Sequence, residues 1–467
     1  MPAPLMLGMI LMPEFIQCEG LEQVLHNCLD VAGATDMTTV ASVMGSADEA
    51  HGEREPPSDG GAGDKRVLDR PLWGKHWLYS RTAPSFEPDH SLYADTPYDP
   101  PRPTELTMRE GHVVGDFLNA CRQRGVRTWL QVMAAAPPGI RVQFGGPCFQ
   151  DCAVAADARE IGRRVDRNGS MANGAIRHFL SALLRDLARA YPQADGFRLD
   201  WPEYAPYDFD TLFFDYSPDA MALGTRLGFD VEAIRTGMRR IAERIPALAR
   251  PGALASLTVM LNRADLATLL TQHPVIGQHL AFRAAIVADF IAFVGSVTKA
   301  LGKQLFLQGF PPPWNLLSGF DPAFNSTVAD GVGVKAYTMH WPMIARNYYD
   351  ALITRGAPAG TDLAALIVRA LAIAPPPSSP EALRYPDPDE SHPADSAAIA
   401  AKMESARTAI RGAEFWGITH AYGPDADMMR RFRAVAGASG GRVYLNRYGY
   451  LNDNKLRMVG EFVRGAR

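Results

Sequence analysis

The stretch that decides the fold is YPQADGFRLDWPEY, residues 191–204, where a helical pattern over 175–190 leads into a short strand pattern over Gly196–Asp200. Side chains alternate between the two faces of a strand, so Arg198 and Asp200 point to the same side. Burying a guanidinium beside a carboxylate is costly unless the two groups are paired. We therefore expect Arg198 to keep Asp200 ionised at the carboxyl end of this strand.

An ionised carboxylate at the end of a strand is what a covalent nucleophile for sugars requires. Glu203 follows Asp200 by three residues, which places a second carboxyl group nearby. A purely structural Arg-Asp pair beside an aromatic loop is the alternative interpretation. The arrangement of the remaining strands has to decide between the two.

The composition is that of an ordinary globular protein. The chain has 467 residues, of which 47% are apolar and 21% charged, and its net charge is −4. Without a basic surface we expect neither nucleic acid nor an anionic membrane as a partner. No uninterrupted apolar run of about 18 residues is present, so no transmembrane helix is predicted. The small, odd number of cysteines favours a reducing compartment and predicts a cytoplasmic protein.

Eight strand patterns, mostly separated by helical patterns, predict an α/β fold of the (β/α)8 TIM barrel class with long βα loops. The predicted strands cover residues 5–12, 38–44, 126–133, 196–200, 304–310, 333–339, 415–419 and 443–447. We predict a single barrel domain over 1–467, with loop excursions at about 46–104, 134–170 and 374–395. An open doubly wound sheet is the alternative, but its glycine-rich dinucleotide loop is absent after the first strand.

Nearly every predicted strand ends in an aromatic, a carboxylate or a histidine, at the end of the barrel where active sites lie. Aromatic faces stack on sugar rings while charged and polar groups bond the hydroxyls, so this set predicts carbohydrate binding. The predicted catalytic residues are Asp200 and Glu203. The predicted substrate-binding residues are Glu14, Arg198, Trp201, Trp314, Lys335, Tyr337, His340, Trp341, His420 and Tyr422. Strand three also leads toward Gln143 and Phe144.

Each of these residues has a structural alternative. The tryptophans and histidines could serve packing alone, and Lys335 could form a structural ion pair. Glu14 could cap the helix that follows it, and Asp321 could be a turn residue before its proline. The histidines are scattered singly and no cofactor motif occurs, so we predict no metal and no cofactor.

The segment Asp195-Gly-Phe-Arg-Leu-Asp200 resembles the nucleophile strand of the α-amylase superfamily, which is the fourth strand of that barrel. The longer segment 182–204 is similar to bacterial barrels classed as glycosyl hydrolases. The resemblance implies that Asp200 is the nucleophile and Arg198 its neighbour in the site. It implies no general acid, because the fifth strand ends at Gln308-Gly-Phe-Pro-Pro-Pro-Trp314 without the glutamate of that family. From the chemistry alone, Glu203 is the first candidate and Asp321 and Glu14 are the others.

The sequence therefore predicts a glycoside hydrolase of the retaining type acting on an oligosaccharide or glycoside, with Asp200 as nucleophile or stabiliser and a second carboxyl as acid/base. Two alternatives stay open: a barrel isomerase or lyase acting on a sugar, with Lys335 or His340 as base, and a carbohydrate-binding barrel without catalysis. A carboxylate across a cleft from Asp200 would favour the hydrolase, and only Lys or His there would favour the isomerase or lyase. The sequence leaves a homo-oligomer open.

Overall fold

A computed structural model describes residues 5–58, 62–141, 146–157, 169–248, 270–373 and 375–465 of the chain. Its strands, in chain order, are β1 (Met6–Ile10), β2 (Asp36–Val40), β3 (Ser42–Ala47), β4 (Glu53–Glu55), β5 (Leu78–Pro84), β6 (Arg127–Met133), β7 (Gly196–Asp200), β8 (Gln304–Gly309), β9 (Gly331–Ala336), β10 (Glu414–His420) and β11 (Arg442–Asn446).

Eight of these strands close into a parallel barrel, which confirms the predicted (β/α)8 fold. The order around the barrel is β1-β11-β10-β9-β8-β7-β6-β2. Barrel strands that follow one another in the sequence are therefore neighbours, and β11 closes the barrel against β1. Helices cover the outside and side chains fill the inside, and every residue of β2 and β9 is accordingly buried. Asp200 ends β7, the fourth strand of the barrel, as predicted.

The predicted second strand, 38–44, was wrong as a single element. It consists of β2 in the barrel and β3 in a separate antiparallel sheet, ordered β3-β5-β4. The chain leaves the barrel at Ala41, and β3 pairs with β5 from Ser42 opposite Pro84 to Ala47 opposite Tyr79. The excursion predicted as loop over 46–104 therefore contains two strands. The sequence did not reveal the change of sheet at Ala41, because both sheets bury this segment and no glycine or proline interrupts it.

Helices surround the barrel. Those described are Pro13–Glu19, Leu21–Leu25 continuing as a π-helix over His26–Val31, Glu105–Glu110, His112–Gln123, Gly174–Ala190, Pro218–Arg226, Val231–Leu248, Pro274–Ala300, Trp314–Ser318, Pro322–Asn325, His340–Thr354, Thr361–Ala370, Ser396–Ala409, Asp425–Ala438 and Asp453–Gly465. The sixth predicted strand, 333–339, ends three residues early at Ala336, and His340 already begins a helix.

The helix Pro274–Ala300 is, by length and composition, long and apolar enough to cross a bilayer. Its most apolar window has a mean hydropathy of 1.9, and half of that window is buried inside the molecule. It packs against β8 and the helix Gly174–Ala190. A core helix of a globular domain has the same properties, so this helix is weak evidence for a membrane.

Aromatic rings and one arginine fill the barrel interior beneath Asp200. The guanidinium of Arg198, fully buried, lies 4.7 Å from the ring centre of Phe306 and 4.2 Å from that of Tyr444. Two glycines make room for these rings: a Cβ on Gly8 would lie 2.3 Å from Tyr444, and one on Gly333 would lie 2.7 Å from Phe306. The glycines therefore permit an aromatic clamp around a buried cation.

Candidate active site

A cavity opens at the carboxyl end of the barrel strands. Its volume is about 160 Å³, and a cavity of about 150 Å³ is enough for a ring the size of benzene. Strand ends supply much of its wall: Gln131, Met133, Asp200, Gln308, His420 and Asn446. The cavity thus occupies the position at which barrel enzymes bind their substrates.

Asp200 contributes the central carboxylate of the cavity wall. Its side chain is 19% exposed, and its Oδ1 lies 3.2 Å from the Nζ of Lys335. The Nε2 of Gln131 donates to its Oδ2 at 3.3 Å. Because Lys335 is buried on β9, it is a fixed cation that positions one carboxylate oxygen and balances its charge.

Arg198 does not fill the role expected from its place two residues before Asp200. Its Nε and Nη2 donate to the Oε1 of Gln308 at 3.0 and 2.8 Å, and its Nη1 donates to Thr38 at 3.3 Å. Burial lowers the pKa of this guanidinium. Arg198 lies below the cavity wall and supports it through Gln308, which lines the cavity.

The chain turns sharply after Asp200. Trp201 has a φ of 53°, in the left-handed region that costs a residue with a Cβ about 1–2 kcal/mol. This turn puts Trp201 on the cavity wall and returns Glu203 to the interior, where it is fully buried. Backbone strain that places an aromatic ring beside a carboxylate is typical of functional sites.

Glu203 is enclosed by the segment after β8. Its Oε1 accepts from the backbone N of Phe310 at 2.9 Å, and its Oε2 accepts from the hydroxyl of Ser318 at 2.5 Å. Burial raises the pKa of Glu203 to about 7, against the lowering effect of the nearby charge of Lys335. Glu203 is not among the residues that line the cavity.

Two neutral histidines line the cavity. Burial, followed by the charges of Arg66 and Lys335, lowers the pKa of His340 to about 3, and its Nδ1 lies 2.8 Å from the hydroxyl of Tyr207. Burial also lowers the pKa of His420 well below its usual value. The backbone N of Tyr422 donates to the Nδ1 of His420 at 3.1 Å, so His420 carries its proton on Nε2. Both rings are uncharged hydrogen-bonding groups.

Three arginines form the opposite part of the wall: Arg66, Arg141 and Arg447. Arg141 binds both oxygens of Glu14 at 3.0 Å and one oxygen of Glu55 at 2.9 Å. Arg447 lies 3.3 Å from Glu14 and 2.6 Å from Glu55. Three guanidiniums share two carboxylates, which leaves an excess of one positive charge.

The positive charge of this cluster affects the ionisation of Glu55, whose side chain is 1% exposed. Burial opposes its ionisation, but the charges of Arg447, Arg141 and Arg66 outweigh burial and lower its pKa. Ionisation of Glu55 is therefore favoured, and Glu14 and Glu55 hold two arginines in place from behind.

The structure brings some predicted residues to the cavity and leaves others away from it. Asp200, Trp201, Tyr337, His340 and His420 line it, and Lys335 reaches it through Asp200. Glu14 and Arg198 act behind the wall. The other predicted contacts, Trp314, Trp341 and Tyr422, are buried and do not line the cavity, and Gln143 and Phe144 lie outside the described residues.

Packing explains the positions of the two remaining tryptophans. Their rings lie 5.6 Å apart, with the Nζ of the buried Lys402 at 4.7 Å from Trp314 and 5.4 Å from Trp341. Burial lowers the pKa of Lys402 to about 7. Asp321, the other carboxyl considered, is exposed and accepts from the backbone N of Ala323 at 2.9 Å as a helix cap. These residues stabilise the segments beside the cavity.

Sequence reasoning missed Arg66, Arg141, Glu55, Tyr207 and Gln131. Gln131 lies inside a predicted strand on the inward face, so alternation from Met133 could have found it. The other four lie in or next to long connections, where no periodicity relates a residue to the barrel. Within the described part of the chain, no group of three or more His, Cys, Asp or Glu side chains is arranged to hold a metal ion.

Comparisons with known proteins give a likeness of fold only. No family model matches the chain, and no curated protein matches it. Among solved structures, the PgaB (BpsB) glycoside hydrolase domain from Bordetella bronchiseptica is 12% identical, over 96% of this chain and 95% of that chain, with a TM-score of 0.49. The β-galactosidase from the psychrophilic Marinomonas ef1 is 10% identical, over 98% and 59% of the two chains, with a TM-score of 0.49.

The catalytic domain of the β-amylase from Paenibacillus polymyxa is 9% identical, over all of both chains, with a TM-score of 0.47. All three structures are described as enzymes that act on glycosides. At these identities and TM-scores the likeness assigns no residue of this chain a role, and the resemblance of β7 to the amylase strand stays a prediction.

Proposed function

We propose that this chain is a glycoside hydrolase in which Asp200 acts as nucleophile or as stabiliser of the positively charged transition state. The observation that carries the proposal is the carboxylate of Asp200 on the wall of a cavity of ring size, at the end of the fourth barrel strand. Lys335 and Gln131 fix its two oxygens, and Trp201 offers an aromatic surface beside it. A positioned, ionised carboxylate facing a sugar ring is the requirement of this chemistry.

In the proposed retaining reaction, an oxygen of Asp200 attacks the anomeric carbon as the bond to the leaving sugar breaks. The leaving oxygen takes up a proton from solvent water, and a water molecule later cleaves the bond to Asp200, which regenerates the carboxylate and returns a proton to solvent. Among described residues the cavity wall has no second carboxyl group. We assign Glu203 a positioning role, since it fixes Phe310 and Ser318 and is sealed from the cavity.

The decisive experiment is Asp200→Asn, assayed on a panel of aryl glycosides and oligosaccharides. We expect kcat to fall on the order of 10³-fold or more, because the amide cannot act as the nucleophile. Asp99→Asn, at a side chain that is 71% exposed, is the matched control and should keep full activity. Unchanged turnover in Asp200→Asn would refute the assignment, and loss of folding would favour a structural role.

A sugar lyase or isomerase is the second candidate, and the ionisable residues of the wall favour it. Apart from Asp200 these are arginines, histidines and tyrosines. Mass and absorbance of the product separate the classes: hydrolysis adds one water, elimination creates an unsaturated product, and isomerisation keeps the mass. NMR of the first product then tests retention of the anomer.

We also propose a cytoplasmic location, since the described structure has all five cysteines as free thiols, the state that a reducing compartment maintains. The substrate that we propose is an oligosaccharide or glycoside, without a nucleic acid or membrane partner.

A further inference from the structure

The arginine cluster of Arg66, Arg141 and Arg447 carries more positive charge than its ion pairs neutralise. Glu14 and Glu55 engage Arg141 and Arg447, and both glutamates are at most 1% exposed. Within the described residues no carboxylate lies within ion-pair distance of Arg66. Its Nε donates to the hydroxyl of Tyr450 at 3.2 Å and its Nη1 donates to the carbonyl of Pro57 at 3.3 Å. The cluster thus keeps an excess of one positive charge at the cavity wall, and Arg66 is the arginine without a direct ion pair.

One donor in this cluster is buried and left without a partner among the described residues. It is the Nε of Arg447, a side chain that is 8% exposed and lines the cavity. A buried donor without a partner costs about 1–3 kcal/mol, more when it is charged, so such groups in a cavity wall indicate a missing ligand.

The other charges around the cavity do not supply the missing anion. The carboxylate of Asp200 is paired with Lys335 at 3.2 Å, and His340 and His420 are neutral. Arg66 and Arg447 are close enough for each charge to oppose the other. A planar guanidinium pair that faces a cavity of ring size is suited to an anionic group with several oxygens.

We infer that Arg66 and Arg447 form a subsite for an anionic substituent of the sugar, a carboxylate or a sulfate, so that the substrate is an acidic glycan. This inference rests on the proposed action at a glycosidic bond and adds the charge of the sugar. The substituent accepts from the Nε of Arg447 and is balanced in charge by the guanidinium of Arg66. Arg141, Glu14 and Glu55 keep Arg447 in place but are not assigned contacts with the ligand.

The test is a calorimetric titration of the full chain at low salt with glucuronate, galacturonate, glucose 6-sulfate and glucose. At least one acidic sugar should bind about 10- to 100-fold more tightly than glucose, the scale of one or two charge-assisted hydrogen bonds. Arg66→Gln should abolish the difference, and Arg102→Gln, at a side chain that is 82% exposed, should leave it intact. The arms with uronates and with the sulfated sugar identify which anion is recognised.

Competition by inorganic sulfate on the unaltered protein gives a readout that needs no variant, and it should weaken binding of the acidic sugar. Equal binding of glucose and every acidic sugar, no binding of any acidic sugar, or discrimination that survives in Arg66→Gln would overturn the inference. If acidic sugars bind as expected but no glycoside is cleaved, the proposed hydrolase falls and the subsite stands. If neutral glycosides are cleaved without a preference for acidic ones, the subsite falls and the hydrolase stands.

Discussion

Asp200 and Arg198 share one face of β7, yet they bind different partners. Two residues along a strand correspond to about 6.6 Å, so Arg198 begins well below the cavity wall. Its guanidinium finds Gln308 and Thr38 at its own depth. Lys335 reaches Asp200 from β9 instead. Proximity along the sequence therefore predicted Arg198 as the cation beside Asp200, whereas in the structure that cation is Lys335.

Glu203 has a pKa that suits a general acid, but its buried position does not suit that role. A carboxyl with a pKa of about 7 has the acidity expected of a general acid. Both of its oxygens, however, are engaged by Phe310 and Ser318, and it has no exposed surface. The sequence prediction of Glu203 as acid/base is disfavoured by this burial.

We predict that Glu203→Gln becomes more stable relative to the unaltered protein as the pH rises. Burial raises the pKa of Glu203 from 4.5 to about 7 in the folded protein. Protonated Glu203 therefore contributes its full stabilisation below the pKa of the unfolded state. This stabilisation is lost as the pH rises through the pKa of the folded state. Between about pH 4 and about pH 8 the relative gain should be on the order of 3 kcal/mol. Urea unfolding at several pH values measures it.

The glutamine keeps the local hydrogen bonds, because the hydroxyl of Ser318 can donate to the carbonyl of Asn315, 3.1 Å away, and accept from the new amide. A difference in stability that is independent of pH would show that folding does not raise the pKa of Glu203. If Glu203 is the general acid, the variant loses turnover. If it positions Phe310 and Ser318, most of kcat remains.

At the scale of elements, the strands of the barrel are matched to the rings that they enclose. β1 passes Tyr444 with a glycine, Gly8, at the point of contact, and β9 passes Phe306 with Gly333. These glycines lie in strands, where glycine is intrinsically unfavourable, so their presence reflects close approach rather than flexibility. The clamp around Arg198 depends on both.

We predict that Gly8→Ala destabilises the protein by about 1–3 kcal/mol through overpacking. The added Cβ would lie 2.3 Å from the ring of Tyr444, which cannot move away without leaving Arg198. Denaturant unfolding measures the change. Gly174→Ala is the control: it begins the helix Gly174–Ala190, and its Cβ would meet nothing within 4 Å. The control should be neutral or slightly stabilising, and an equal loss in both variants would contradict the packing argument.

The antiparallel sheet of β3, β4 and β5 is the element that sequence analysis overlooked, and it contributes to the site. Glu55 ends β4, where it pairs with Leu78 of β5. The following prolines bring Pro57 to the cavity. The sheet thus delivers the counter-ion of Arg141 and Arg447 from outside the barrel.

At the scale of the whole molecule, ion pairs join the strands at the end of the barrel opposite Asp200. Arg127 begins β6 and bonds Asp36, at the start of β2, and Glu414, at the start of β10, with 2.7 Å to the latter. Its guanidinium also lies 5.2 Å from the ring centre of Trp129 and 5.7 Å from that of Trp416. One side chain therefore joins three strands that are far apart in the sequence.

We predict that Arg127→Met lowers the free energy of unfolding by about 3 kcal/mol, since it leaves the buried carboxylate of Asp36 without its cation. The substrate KM should not change, because the variant lies at the far end of the barrel. The control is Arg124→Met, which breaks an exposed ion pair with Glu22 and should cost less than about 1 kcal/mol. An equal loss in the free energy of unfolding in both variants would contradict the stabilising role of Arg127.

The sequence by itself determined the barrel and the carboxylate at its fourth strand. Both depend on local patterns: apolar runs of strand length between helical stretches, and alternation that puts Asp200 on the inward face at a strand end. Tyr337, His340 and His420 follow from the same rule, because the carboxyl ends of parallel strands meet on one side of the barrel.

Only the tertiary structure decided what surrounds Asp200. Lys335, Arg66 and Arg447 come from distant parts of the chain, and no local pattern fixes how far a long cationic side chain reaches or which carboxylate neutralises it. Burial depends on packing in three dimensions, so only the folded chain could separate the enclosed Glu203 and Trp314 from the cavity wall. The excess positive charge at the cavity arises in the same way, from the balance of ion pairs between segments that meet on folding.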